Sequence, residues 1–196
     1  MAINENPLRP NMLLRLSSPL WLSGDLRRYR RGLAAELRRQ LHAIQEISDR
    51  YPALDPRRVA LLSGTERHSI TRLISQMPRL IVVGETGSGK SALLRQTCLT
   101  FAENPTEPMP ILANLSTGYN DNPLGLLQEK VLAHGSRRLA AMLSHLLSSG
   151  GVILFLDDFD EMPQSTGKQA ADRWISFLQS YPQVRCVLSC RPGNMA

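Results

Sequence analysis

Cysteine is scarce in this 196-residue chain: there are three, Cys98, Cys186 and Cys190. The number is odd and the spacing is not that of a zinc site, which argues against a disulfide framework and against bound zinc. Cys186 and Cys190 read instead as small core residues on one face of a strand, and the chain suits a reducing cytoplasm. Long apolar runs are missing too. No stretch reaches the roughly 20 residues that a bilayer-crossing helix needs. The apolar segment from Met12 to Leu22 contains Arg15, Ser17, Ser18 and Pro19 and has no clean cleavage pattern after it, so it does not read as a signal peptide. Lysine is absent from residues 1–79, which hold 14 arginines and seven acids, a net +7, whereas residues 80–196 hold nine bases and ten acids, a net −1. The overall charge of +6 therefore describes the N-terminal region and not the rest. There is no internal repeat, no low-complexity tract and no Asn-Lys-x-Asp guanine-reading motif, which makes a GTPase a poor reading.

What is present is organised around one stretch. Leu80-Ile81-Val82-Val83 reads as a short buried strand, and Gly84-Glu85-Thr86-Gly87-Ser88-Gly89-Lys90-Ser91 follows it, with a helix running on from Ala92. Gly84, Gly89, Lys90 and Ser91 fit G-x-x-x-x-G-K-[ST] in the strand–loop–helix setting that a phosphate-binding loop requires. Glycines let successive backbone N–H groups turn toward phosphate oxygens, and the helix N-terminus adds partial positive charge there. Residues 84–92 are thus the candidate nucleotide-binding segment, with Lys90 for the β- and γ-phosphates and Ser91 for Mg²⁺.

The rest of the chain reads as follows. Residues 1–24, punctuated by Pro7, Pro10, Pro19 and Gly24, are expected to be irregular. Ser23 or Asp25 is the candidate cap of a helix from about Asp25 to Arg50, whose apolar stripe is Leu26, Leu33, Leu37, Leu41, Ile44 and Ile47. Arg27, Arg28, Arg30, Arg31, Arg38 and Arg39 surround that stripe. Three uses suit such a helix: packing with a solvated basic face, an anionic membrane surface, or nucleic acid. Aromatics do not alternate regularly with these arginines, which weakens the last. The Tyr51–Pro56 segment breaks the helix, Arg57–Ser63 forms a short element, and Thr65 is the candidate cap of a helix through Gln76. Strands are expected at Met109–Leu115, Val152–Leu156 and Val184–Ser189, alternating with helices from Gly89 or Lys90 to about Ala102, over Leu124–Ser148 (broken near Gly135) and over Lys168–Tyr181, the last with Ala171, Trp174, Ile175 and Leu178 inward. Pro110 suits a strand start or an edge. The division is an N-terminal region, 1–65, and a nucleotide-binding core, 66–196.

Alternating strands and helices build a parallel sheet with right-handed crossovers, and ligands of such sheets sit beyond the carboxyl ends of the strands. The phosphate loop, the acidic cluster Asp157-Asp158-Phe159-Asp160-Glu161 and Arg191 all follow strands, so they emerge on one edge. Asp157, at the end of an uninterrupted apolar run, is positioned to hold Mg²⁺ beside Ser91. Hydrolysis needs a further carboxylate to orient or deprotonate water; Asp158, Asp160 and Glu161 are candidates, and spacing does not choose among them. Arg191 is a candidate for stabilising charge on the γ-phosphate. A small-molecule kinase leaves the acidic cluster poorly explained.

These residues carry a family resemblance. Gly84–Ser91 is similar to the Walker A of the NACHT group of STAND ATPases, Leu154-Phe155-Leu156-Asp157-Asp158-Phe159-Asp160-Glu161 to their Walker B, Leu188-Ser189-Cys190-Arg191-Pro192 to their sensor strand, and Pro110–Ser116 to a second strand of bacterial members. The resemblance covers about residues 68–193. It implies an α/β P-loop NTPase three-layer sandwich with strand order 2-3-4-1, and an ATP-driven switch that changes assembly state in defence or other regulatory signalling. In that family's roles Lys90 and Ser91 bind phosphate and Mg²⁺, Asp157 supports Mg²⁺, Asp160 and Glu161 serve hydrolysis, and Arg191 senses the γ-phosphate. Two departures stand out. Asp158 occupies a position where the family usually has a small residue, and the sequence ends just after the sensor motif, before the helical lid and winged-helix segment, so a truncated core is expected. The alternatives are a nucleotide-binding module without turnover and a nucleic-acid-linked ATPase that uses the arginine-rich helix.

Overall fold

The computed structural model describes residues 20–50, 61–63, 66–68, 70–116, 122–162 and 167–192. In chain order it contains helix α1 (Leu20–Arg50), strands β1 (Leu61–Ser63) and β2 (Glu66–His68), helix α2 (Ile70–Gln76) and strand β3 (Arg79–Val83). Helix α3 (Lys90–Glu103), strand β4 (Met109–Asn114) and helices α4 (Pro123–His134), α5 (Arg137–Ala141) and α6 (Leu143–Ser148) follow. Strand β5 (Val152–Asp157), a 3₁₀ turn over Phe159–Glu161, helix α7 (Gly167–Ser180) and strand β6 (Arg185–Cys190) complete it. Of the expected irregular start (residues 1–24), residues 20–24 are helical instead and belong to α1; residues 1–19, the helix break at 51–56, the turn at 64–65 and the loop residues 117–121 and 163–166 lie outside the described residues.

β1 and β2 form a small antiparallel pair, while the main sheet has four parallel strands in the order β3-β6-β5-β4. Counted along the sheet from its other edge, that is the second, third, fourth and first core strand, the order the resemblance implies. β5 is central and every one of its six residues is buried. This is the signature of a strand covered by helices on both faces, and it explains why Val152–Leu156 shows no alternation. The core joins Phe101 of α3 edge-on to Phe155 of β5, with ring centroids 5.8 Å apart.

Several expectations fail at the margins for identifiable reasons. β3 is not a buried strand: it is an edge strand, and Ile81 and Val83 are 53% and 49% exposed because only alternate residues face the core. Ile175 is likewise exposed on α7, while Trp174 and Leu178 carry that helix's burial. α1 starts at Leu20, so Ser23 and Asp25 lie inside the helix and cap nothing; burial of Leu22 against the core draws the helix back a turn. α2 starts at Ile70 and not after Thr65, because Glu66–His68 pairs with β1.

α1 is bound into the core. Leu22, Tyr29, Leu33, Ala34 and Leu37 are buried in the same apolar cluster as the sheet, with Leu26 and Leu41 packed against it. Met109 and Leu115 donate their N–H groups to Gly151 and Asp157 of the β5 side, so Pro110 faces the free edge of β4. A proline has no N–H to leave unpaired there, and its carbonyl accepts the buried Tyr29 hydroxyl at 2.8 Å. Arg30 donates to the carbonyls of Phe101 at 2.6 Å and Asn104 at 2.9 Å, and also to that of Glu107. Its guanidinium thus caps the C-terminal end of α3, where orphan carbonyls and the negative end of the helix dipole favour a cation. Arg30→Ala is expected to lower unfolding stability by about 2–3 kcal/mol, read from urea denaturation. Arg30→Lys should recover only part of this, because an ammonium lacks the fork that reaches several carbonyls at once.

Candidate functional site

The loop between β3 and α3 is shaped by its glycines. Gly87 and Gly89 have φ of 78° and 88°, in the left-handed region that side chains disfavour. A Cβ on Gly84 would stand 2.6 Å from Ser88 Oγ. The Gly84 N–H donates to the Cys190 carbonyl at 3.2 Å, tying the loop's first residue to the end of β6, and Ser88 N–H closes the turn on the Glu85 carbonyl. Lys90 Nζ donates to the carbonyls of Gly84 at 2.6 Å and Glu85 at 2.9 Å. Glu85, Thr86 and Ser88 are exposed at the tip; Gly89, Lys90, Ser91 and Ala92 are half-buried where the helix begins.

Asp157 is the centre of the site. It is 1% exposed, yet its Oδ1 accepts the Ser91 hydroxyl at 3.1 Å and the Ser189 hydroxyl at 2.6 Å. Its Oδ2 lies 3.9 Å from Arg95 Nη2 of α3, and Arg95 Nε donates to Gln40 of α1 at 3.2 Å. Ser189 Oγ accepts the Asp158 N–H at 3.0 Å. Asp158 itself has φ 56°, the one positive value at a non-glycine position among the described residues. Its carboxylate accepts Asn114 Nδ2 at 2.7 Å, and Asn114 Oδ1 accepts the N–H and hydroxyl of Ser116. Burial first, then the neighbouring Asp157, pushes the Asp158 carboxyl above its ordinary range despite the Asn114 hydrogen bond. A cavity of about 200 Å³ opens beside Asp157, walled by Arg95, Asn114, Gln40 and Glu36.

The other acids behave differently. Asp160, with a side chain 4% exposed, accepts Arg191 Nε at 2.7 Å and the Arg191 backbone N–H at 3.1 Å. Burial alone would raise its carboxyl, but the Arg191 hydrogen bonds outweigh that and hold it below the usual range. Glu161 is exposed and meets Arg191 Nη2 at 3.2 Å. The pairing with Asp160, then Glu161, raises the Arg191 guanidinium in turn.

All four parallel strands therefore contribute at their carboxyl ends: the Gly84 loop after β3, Asn114 on β4, Asp157 and Asp158 on and just after β5, and Ser189 and Arg191 on and after β6. Ser91 and Asp157 meet directly, and Asp160 and Glu161 converge on Arg191. Asn114, Ser189 and Arg95 join the site beside the residues that the motifs mark. For the first two a signal existed: each is a polar residue in the last turns of a strand otherwise apolar and buried. Arg95 carried none, since an arginine one turn into a helix is ordinary.

The donor chemistry around Asp157 suits Mg²⁺, a hard cation that takes carboxylate and hydroxyl oxygens and keeps several waters, with Ser91 and Asp157 as the residues that would hold it. The glycine positions suit a loop that must approach phosphate with its backbone. A family model described as NACHT domain matches residues 78–196, a span that includes the loop, Asn114, the acidic cluster and Arg191. No curated protein matches the chain.

The Asp160–Arg191 pair makes a pH-dependent prediction. A carboxyl with a lowered folded-state pKa contributes stability that is present above its unfolded value, near 4, and is lost as pH falls through the folded value. Asp160→Asn should thus cost about 1–2 kcal/mol at pH 7, toward the low end for a charge-assisted pair because the guanidinium is partly exposed. The difference from the wild type should shrink below about pH 4, measured by urea unfolding across a pH series.

Proposed function

From the premise that this chain belongs to the NACHT family of P-loop NTPases, we propose that it binds ATP with Mg²⁺, hydrolyses it slowly and uses the nucleotide state to change its assembly in regulatory or defence signalling. The observation that carries the reading is the 3.1 Å contact of Ser91 with Asp157, residues 66 positions apart, beside a loop whose Lys90 ammonium already lies on the loop's own carbonyls. Mg²⁺ bound there would draw charge from the β- and γ-phosphate oxygens and lower the barrier to their separation. Residues 84–92 wrap the phosphates with their N–H groups. Lys90 exchanges the carbonyls of Gly84 and Glu85 for phosphate oxygens. Ser91 and Asp157 present oxygens to the cation, and Ser189 fixes the Asp157 carboxylate.

Asp158, Asp160, Glu161 and Arg191 make up the hydrolytic part of the proposal. Asp160 is fully engaged by Arg191, which supports a positioning role for it and leaves Asp158 and Glu161 for work on water. Arg191 reads the γ-phosphate after exchanging Glu161 for it. The remaining proposals are an N-terminal region at 1–65 serving a core at 66–196, homo-oligomerisation through that core, and a cytoplasmic setting. Free, buried Cys98, Cys186 and Cys190 support the last; burial pushes the Cys186 thiol up to about 12, which keeps it unreactive. No helix among the described residues is long and apolar enough to cross a membrane. The engagement of Arg191 by two carboxylates supports a second reading, a nucleotide-binding module without turnover.

Lys90→Ala is expected to weaken Mg²⁺-dependent ATP binding about 10- to 100-fold by calorimetry. Of Asp158→Asn and Glu161→Gln, the one removing the group that acts on water should lose about 100-fold in phosphate release while retaining ATP binding. Tight binding by the wild type with no phosphate release favours the module, and absence of ATP binding overturns both readings.

A further inference from the structure

α1 carries six arginines between Arg27 and Arg39, and they divide by use. Arg30 caps α3 through backbone carbonyls, and Arg38 pairs with Glu103 at 2.6 Å. Arg27, Arg28, Arg31 and Arg39 are exposed and make no ion pair among the described residues. At 3.6 residues per turn these four fall within an arc of about 120°, directly opposite the buried face of Leu22, Tyr29, Leu33 and Leu37. Of the nearest acids along the helix, Asp25 lies about 40° outside the arc and makes no ion pair with these arginines among the described residues, and Glu36 turns away to His134 at 3.0 Å. The result is a one-signed band on a helix that the core holds rigid.

We infer that this band docks on the phosphate backbone of duplex nucleic acid. A membrane-surface helix must bury its apolar face in the headgroup region, and here that face is already buried in the protein. Among the described side chains the outward arc holds only small residues and His42 besides its arginines, and its permanent charge is all guanidinium, the group whose fork matches phosphate oxygens in pairs. Arg27 to Arg31 rises about 6 Å and Arg31 to Arg39 about 12 Å along the helix, a run of cations along a polymer that carries a phosphate every 3.4 Å or so on each strand. Tyr29, which sits among these arginines in sequence, is buried with its hydroxyl on Pro110 and does not face out to stack on unpaired bases; the ring exposed on the band is the imidazole of His42. The contact is therefore to backbone, without sequence preference, and it stands or falls independently of ATP binding.

The test is fluorescence anisotropy of the full chain with a 20-base-pair DNA duplex over a salt series. Four phosphate contacts predict a slope of log K against log salt of about −3 to −4, which is about a 100-fold loss of affinity between 50 and 200 mM. Two variants with the same net charge of +2, against +6 for the wild type, separate the band from bulk charge. Arg27→Gln/Arg28→Gln/Arg31→Gln/Arg39→Gln should abolish binding and flatten the slope, while Arg72→Glu/Arg173→Glu should retain most of it. Circular dichroism and the unfolding midpoint check that both remain folded; should the quadruple variant unfold, the single Arg31→Gln and Arg39→Gln changes must each reduce the slope by about 1. Phosphatidylserine vesicles at equal phosphate concentration form the other arm. No duplex binding at 50 mM salt, equal loss in the two charge-matched variants, or tighter binding to the vesicles than to the duplex would each overturn the inference.

Discussion

A carboxylate at the end of a strand buried on both faces constrains everything around it. Asp157 has almost no access to solvent, and an ionised group in that position is very costly unless polar partners converge on it. The chain supplies them from three directions: Ser91 from the turn that opens α3, Ser189 from the neighbouring strand β6, and Arg95 one turn further along α3. The start of α3, the central strand β5 and strand β6 are thus tied through one oxygen atom and its neighbour. A cation on Asp157 would have to compete with that set, so a change at this carboxylate is felt by three elements at once.

Arg95 extends the same linkage outward. Its Nε reaches Gln40, so α1 touches the network that holds Asp157 although it precedes the phosphate loop by more than thirty residues. Beside its buried apolar face, two further anchors of α1 are polar groups meeting backbone at places where the core's own hydrogen bonding is incomplete. Tyr29 serves the free edge of β4 and Arg30 the end of α3. An edge strand and a helix terminus are the two features of an α/β core that most need outside partners. α1 satisfies both, which explains why a helix so rich in charge packs closely here.

What could be read from the residues follows from the range over which each signal acts. The glycine-rich turn between β3 and α3, the uninterrupted apolar run of β5 and the place of Asp157 at its end are local patterns, and the structure holds that turn, that strand and that carboxylate where the residues put them. The strand order followed from resemblance, since period and length do not rank strands across a sheet. Where tertiary placement decided, the reading failed: Ile81 and Val83 look like core but lie on an edge strand, Ile175 looks inward but faces out, and α1 begins a turn early because Leu22 finds the core. Arg30 was indistinguishable in sequence from Arg31, and only the position of α3 separates a capping arginine from a surface one. Asn114 and Ser189 were visible as polar residues ending apolar strands, but their partners were not.

Asp158 brings local and tertiary effects together. A φ of 56° is the conformation for which glycine carries no penalty and aspartate only a modest one, which gives a physical reason for a small residue at this point of a tight strand-to-turn transition. Aspartate is accommodated because the surrounding groups use both of its ends. Its N–H reaches Ser189, the same hydroxyl that holds Asp157, and its carboxylate reaches Asn114 at the end of β4. The strained residue therefore pins the carboxyl ends of β4, β5 and β6 to one another at the edge where the phosphate loop opens. A glycine there would relax the backbone but would remove the carboxylate that accepts from Asn114 Nδ2. The departure from a small residue thus exchanges backbone ease for a tie across the sheet.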